Sequence, residues 1–172
     1  MPELPEVETT KQGLLPLLNQ TVIAVDIRQA SLRQPVPTQL HDICDATCLE
    51  LSRRGKYIIL KTSKGFAIIH LGMSGSLRLT QQAEPYRKHD HVILTFNNGQ
   101  SLRFHDPRRF GVFLWLTSDP FAHPLIASLG VEPLEDSFTA DYLFEKSRTK
   151  KNAIKKFIMD SHIVVGVGNI YA

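Results

Sequence analysis

A chain of 172 residues suits one large domain, or one domain with part of a second. Its 42% apolar content allows an ordinary core, and a formal net charge of +3 favours polyanion binding only where the cations cluster. With two cysteines, Cys44 and Cys48, and no apolar run near the roughly 20 residues of a membrane span, composition excludes a disulfide-rich scaffold and a transmembrane helix.

The chain opens Met1-Pro2-Glu3-Leu4-Pro5-Glu6-Val7-Glu8-Thr9, which reads in two ways. Proline and acids in a first turn suit the start of a helix and its dipole. If Met1 is removed, Pro2 instead exposes a secondary amine beside Glu3. A free α-amine has a pKa of about 7.7–8.0, so a neutral fraction exists near pH 7. Such a nitrogen attacks an aldehyde-level carbon to give an iminium ion, and Glu3 is near enough to shuttle protons. The spacing of Leu4, Val7, Leu14, Leu15 and Leu18 predicts a helix from Glu3 to about Asn19, weakened by Gly13 and bent or frayed by Pro16. Thr21–Arg28 alternates, with Ile23, Val25 and Ile27 on one side, and predicts a strand. Ser31–Pro37 reads as loop, and Thr38–Asp42 as a short helical turn.

Strand signals then recur at Cys48–Arg54, Lys56–Thr62, Phe66–Leu71, Ser76–Thr80, His91–Phe96, Ser101–Phe104 and Phe110–Leu116. Ser63-Lys64-Gly65 and Asn97-Asn98-Gly99 suit hairpin loops. Short strands at this pitch predict an antiparallel sandwich or barrel that ends near Thr117–Pro120. Cys44 and Cys48, in a CDATC segment, read as reduced thiols. Beyond Asp119 prolines punctuate a connecting segment. Thr139–Lys146 and Lys151–Asp160 then predict helices, the second with Ile154, Phe157 and Ile158 inward. Lys146, Arg148, Lys150, Lys151, Lys155 and Lys156 cluster here. In Val164–Ala172, Gly166-Val167-Gly168 makes a tight turn whose amides can approach a phosphate.

Three loops add chemistry. His70-Leu71-Gly72-Met73-Ser74-Gly75-Ser76 is a sharp reversal that either presents Met73 at its tip or folds it back into the core. Tyr86-Arg87-Lys88-His89-Asp90-His91 is either a basic binding loop or a solvated one, and His-x-His alone supplies only two metal ligands. In His105-Asp106-Pro107-Arg108-Arg109-Phe110-Gly111, extended backbone would point Arg108 and Phe110 the same way. A guanidinium plane beside an aromatic ring is a wedge for an opened nucleic-acid stack, or a strand start with a surface arginine. Lys56, after Arg53-Arg54-Gly55, adds another cation. A nucleophilic amine, a carboxylate, basic loops and planar or apolar tips form the set needed to flip a damaged nucleotide, fill its place and attack its sugar.

The chain resembles the formamidopyrimidine-DNA glycosylase family through PELPEVET at 2–9, RRGKY at 53–57, HLGMSGSLR at 70–78, KHDHV at 88–92, DPRRFG at 106–111 and GVGNIYA at 166–172. The resemblance implies an α+β fold: an N-terminal helix packed on a two-layer antiparallel β-sandwich, then the first part of a helix-two-turn-helix domain. It implies a catalytic β-sandwich domain over 1–118, and a linker with a truncated DNA-binding domain over 119–172. The implied activity is excision of oxidised purines (8-oxoguanine, formamidopyrimidines) from double-stranded DNA, with β/δ-elimination through a proline Schiff base. Pro2 would be the nucleophile, Glu3 the proton donor and Lys56 the proton-transfer lysine. Met73, Arg108 and Phe110 would fill the void, while His89, Arg108, Arg109, Lys151 and Asn169 would bind DNA.

The resemblance further implies a bacterial cytoplasmic setting without a membrane partner. Two departures stand out. Gln34 replaces the family's aromatic in Leu32-Arg33-Gln34-Pro35-Val36, and nothing in the sequence explains it. The family's zinc finger is not matched, so no metal site and no cofactor are expected here, although the full-length family binds one structural zinc. A DNA-binding remnant silent in catalysis is the rival reading. The full-length family is monomeric; here the Ile154/Phe157/Ile158 face and the Ile163–Val167 region are expected to be partly exposed or covered by another copy.

Overall fold

Alternating side chains and tight turns build eight strands in the computed structural model, which describes every residue from Met1 to Ala172. They are β1 (Val22–Ile27), β2 (Cys48–Arg54), β3 (Tyr57–Thr62), β4 (Phe66–His70), β5 (Ser76–Gln81), β6 (Asp90–Phe96), β7 (Gln100–His105) and β8 (Val112–Leu116). One antiparallel sheet runs β1-β6-β7-β5 and the other β2-β3-β4-β8. Their inner faces meet in a core that includes Val22, Ile58, Leu60, Ile69, Leu94, Phe96, Phe104 and Phe113. The second sheet is buried on its outer face too. There Tyr57, Ile59, Ile68, Val112 and Leu114 pack with Ile126 of the short helix α2 (Pro124–Ala127). This double burial explains why β3 and β8 read as near-continuous apolar runs. No helix is long and apolar enough to cross a membrane.

The first helix, α1 (Leu4–Gly13), is shorter than its periodicity predicts. The chain tightens into a 3-10 turn at Leu15–Leu17, where Pro16 has no amide to continue the ladder. Leu14 and Leu17 are buried while Leu15 is exposed. In β1 a bulge between Val22 and Ala24 turns Val22 inward and leaves Ile23 outside, against the simple alternation. The predicted turn at 38–42 is a 3-10 helix, Thr38–Ile43, which buries Leu40 and Ile43.

Toward the C-terminus, α3 (Ala140–Ser147) begins where expected because the Thr139 hydroxyl accepts from the Tyr142 amide at 3.0 Å. The helix predicted over 151–160 is only α4 (Ile154–Ile158). Phe157 points inward, while Ile154 is 70% exposed, contrary to an inward place in the helix but in line with the expected partial exposure of this face. Ile163, Val164 and Val165 are buried rather than open, because the linker lies against them. The Gly130 amide donates to Ser161 O, and Val131 bridges Val164.

The two parts of the chain are joined by charge. Glu132, from the linker, accepts from the Gly55 amide at 2.6 Å, from Arg53 at 2.9 Å and from Arg54 at 3.1 Å. Arg53 also bonds Glu8 of α1 at 2.9 Å. Helix, β2–β3 turn and linker are thereby fixed to one another, and Lys56 emerges from the middle of that junction.

Candidate active site

The amino terminus is held by the turn at 166–171. The Leu4 amide donates to Gly166 O at 3.0 Å, and the Gly166 backbone, at φ +91, lies so close to Leu4 that a Cβ would fall 2.5 Å from it. Glu3, 1% exposed, accepts from the amides of Gly168 (2.8 Å), Ile170 (2.7 Å) and Tyr171 (3.3 Å). The glycine turn read as a phosphate cradle therefore aims its amides at a carboxylate of its own chain. Oε1 accepts only the Ile170 bond, so it keeps a lone pair free of protein donors. Glu6 braces the same corner, accepting from the Glu3 amide and the Tyr171 hydroxyl, each at 3.0 Å.

Lys56 reaches the same turn, its ammonium donating to Val167 O at 3.0 Å. Burial pulls its pKa below the ordinary lysine value, against the opposing pull of Glu3 and Glu6. A cleft of about 470 Å³ opens beside these groups, lined among others by Met1, Lys56, Tyr57, His70, Val167 and Gly168. Pro2 is half-buried, bonded through its nitrogen to the cleft residue Met1. Glu3, Lys56 and the N-terminus are thus brought together by one turn, although they lie far apart in sequence.

His70 is a cleft residue that sequence reasoning did not single out. Its ring lies 4.7 Å from that of Tyr57, and its Nδ1 accepts from the Gly72 amide at 3.0 Å. Burial, helped by Arg33 and Lys56, pulls its pKa down to about 4. The imidazole is therefore neutral in the folded chain and gains its proton more readily when unfolded. Stability is fully present above pH 6.5 and falls as the pH drops toward 4, by about 3 kcal/mol from this group alone. Urea midpoints at pH 7 and pH 5 check this: His70→Gln should flatten the slope between them, and an unchanged slope would contradict it.

The three candidate wedge residues sit on two loops bonded to each other. Asp106, fully buried, accepts from the Ser74 hydroxyl at 2.7 Å and from the Gly111 amide at 2.8 Å. Ser74 in turn accepts from the Arg108 amide at 3.1 Å. Gly72 and Gly111 touch so closely that a Cβ on Gly72 would fall 2.6 Å from the Gly111 nitrogen. Arg108 lies over the Phe110 ring at 4.9 Å, and both Phe110 and Met73 are exposed. The pairing of Arg108 with Phe110 was expected from extended backbone, but its cause differs. Arg109 is left-handed, at φ +58, and β8 starts only at Val112.

His89 and Arg109 share a second, wholly polar cleft of about 450 Å³ with Arg28, Lys88, Asp90 and His91. Partial desolvation and the positive charges around it, Lys88 first, pull the His89 pKa down. Lys151 and Asn169 are exposed and line neither cleft; Lys155 reaches Asn169 O at 3.4 Å. The basic pair Arg53–Arg54 is spent internally on Glu132, which sequence reasoning also missed. No group of three or more histidine, cysteine or acidic side chains is placed to hold a metal ion. Cys44 and Cys48 are free thiols, and burial pushes Cys48 up to about 12.

The N-terminal domain of formamidopyrimidine-DNA glycosylase matches residues 1–113, and the helix-two-turn-helix domain of the same enzymes matches residues 129–172. The chain belongs to the formamidopyrimidine-DNA glycosylase family. It is 55% identical over 174 aligned residues to the enzyme of that name from Legionella pneumophila (strain Lens), and 54% identical over 173 to that of Shewanella denitrificans. Each alignment covers 100% of this chain and 64% of the relative, so the chain spans about two thirds of their length. Among solved structures it is similar to the Lactococcus lactis glycosylase bound to DNA containing an AP site. That likeness has a TM-score of 0.89 and 31% identity, and covers 98% of this chain and 66% of the other. The Lactococcus lactis enzyme in complex with a FAPY-dG-containing DNA matches with a TM-score of 0.89 and 31% identity, over 98% and 65%.

Proposed function

We propose that the chain carries the catalytic centre of a base-excision-repair glycosylase that removes oxidised purines from double-stranded DNA and cleaves the abasic strand. The supporting observation is the convergence of the N-terminus, the buried Glu3 and Lys56 on the 166–171 turn. In this reading the Pro2 nitrogen, once free, adds to C1′ of the damaged nucleotide as the bond to the base breaks. Glu3 supplies the proton that lets the base leave or the sugar ring open. Lys56, with its lowered pKa, takes part in the proton transfer of β-elimination. Met73, Arg108 and Phe110 fill the place of the flipped nucleotide, and His89, Arg109, Lys151 and Asn169 meet the DNA backbone.

A DNA-binding chain silent in catalysis is the second reading, and it applies to any chain that keeps Met1. While Met1 remains, the Pro2 nitrogen is an amide and forms no iminium. Borohydride trapping on 8-oxoguanine and abasic-site duplexes, with the intact mass measured on the same sample, separates the two. A covalent adduct is expected from chains lacking Met1 and none from chains retaining it. Processed, folded chains that give no adduct would overturn the enzyme reading.

A further inference from the structure

We infer that Tyr86, gripped by Arg28 and Arg103, is a positioning residue that holds the β5–β6 loop in the arrangement in which Lys88 and His89 meet DNA; this rests on the DNA-binding reading above. The loop has no helix or strand of its own and carries Arg87, Lys88 and His89, so without anchors it would sample many arrangements. Its anchors are unusual for a surface loop. Arg103 of β7 is completely buried and donates to Gln81 O at 3.4 Å, Glu84 O at 2.5 Å and Pro85 O at 2.9 Å. An arginine inside a sheet is tolerated only when its donors and charge are met. Here carbonyls of the loop and the end of β5 meet the two terminal nitrogens, Ser101 meets Nε at 3.4 Å, and the Asp90 carboxylate lies 3.9 Å away. The Arg103 guanidinium also lies over the Tyr86 ring, 4.8 Å from its centre.

Arg28, just past β1, lies over the same ring at 5.0 Å and donates to Arg87 O and Asp90 O, both at 2.9 Å. Asp90 closes the far side, accepting from the Arg87 amide at 2.8 Å and pairing with Arg78 at 3.1 Å and His105 at 2.9 Å. Both guanidiniums thus lie over the Tyr86 ring. Its hydroxyl makes no hydrogen bond, so its part in the clamp is that of a ring. Lys88 and His89, next along the chain, face the polar cleft with Arg28 and Arg109.

The test is fluorescence anisotropy with a duplex bearing an abasic-site analogue, at several salt concentrations. In Tyr86→Ala the loop would hold its contact-ready arrangement about a tenth to a third of the time, which weakens the apparent Kd roughly three- to ten-fold. Its salt dependence should stay parent-like, because the bound loop still makes the same phosphate contacts. Tyr86→Phe should bind like the parent, because ring and stack are kept. Adding Tyr86→Ala to a Lys88→Ala/His89→Ala variant should cost nothing further, since the residues it presents are gone. Parent-like affinity of Tyr86→Ala overturns the inference. So does a weakened Tyr86→Phe, or a further loss in the triple variant, because either makes Tyr86 a direct DNA contact. A parent chain without affinity for DNA is a different failure, visible before any variant is made, and it removes the DNA reading and this inference together. Amide hydrogen exchange reads the clamp without DNA: the Arg87 and Asp90 amides should exchange faster in Tyr86→Ala and not in Tyr86→Phe, and equal exchange in all three overturns the inference.

Discussion

Replacing Glu132 with alanine lowers the unfolding free energy by about 3–5 kcal/mol at pH 7, because it strips the partner from buried charge. Glu132 is 10% exposed at its side chain and faces Arg53 and Arg54, themselves 15% and 21% exposed. It also accepts from the Gly55 amide, which no other group in the structure satisfies. Removing the carboxylate leaves the Arg54 guanidinium with only the carbonyls of Leu129 and Gly130, and Arg53 with Glu8 and the Gly55 carbonyl. Burial by itself would raise the Glu132 pKa. The Gly55 amide and the two guanidiniums outweigh it and hold the group below its ordinary value. The stabilisation is therefore present above the unfolded carboxylate value and is lost as the pH falls through the lower, folded one. Urea unfolding at pH 7 measures the effect. Glu132→Gln, which keeps an acceptor for Gly55, should lose clearly less. A loss below 1 kcal/mol in Glu132→Ala would show that the latch is ornamental.

Gly168→Ala should nearly abolish borohydride trapping while leaving every reacting group in the sequence. A Cβ at 168 would fall 2.6 Å from both the carboxyl carbon and Oε1 of Glu3, and 2.9 Å from its Cγ. The Glu3 side chain cannot simply step aside, since it is buried and bonded to three amides of the same turn. Either the carboxylate leaves its cradle or the turn moves, and both displace the proposed proton donor from Pro2. Loss of a positioned general acid or base costs about 10²- to 10⁴-fold in rate. The stability cost should be smaller, about 1–3 kcal/mol for the added methyl group. Single-turnover trapping together with a melting curve distinguishes displaced chemistry from unfolding. Full trapping by Gly168→Ala would sink the assigned role of Glu3.

Much of the β-sandwich is legible in the sequence because its signals are local. Period-two alternation and glycine hairpins mark seven of the strands to within one residue at each end, and DPRRFG and HLGMSGS mark the loops that turn out to be bonded together. What stays hidden is set by contacts between distant segments. Glu132 sits in a proline-punctuated linker without periodicity, and its partners lie 77 to 79 residues away. The glycine turn was legible as a nest of amides but not as a cradle for Glu3, since nothing in GVGN names the anion it will meet. Phe110 was read into a strand by its aromatic character, whereas Asp106 caps the Gly111 amide and keeps the chain out of the sheet until Val112. Ile154 fitted a ten-residue helical pattern, but the helix begins only at Ile154, so that residue opens onto solvent.

The bonds from Gly168, Ile170 and Tyr171 to Glu3 span 165 to 168 residues, which bears on the birth of the protein at the ribosome. The sandwich core can collapse once β8 has emerged, yet Glu3 has no cradle until residue 171 is clear of the exit tunnel. A growing chain therefore completes its sandwich with the Glu3 carboxylate still unseated. Residues made at the start are thus seated by a turn made 165 residues later, so this corner closes only after both sheets are complete.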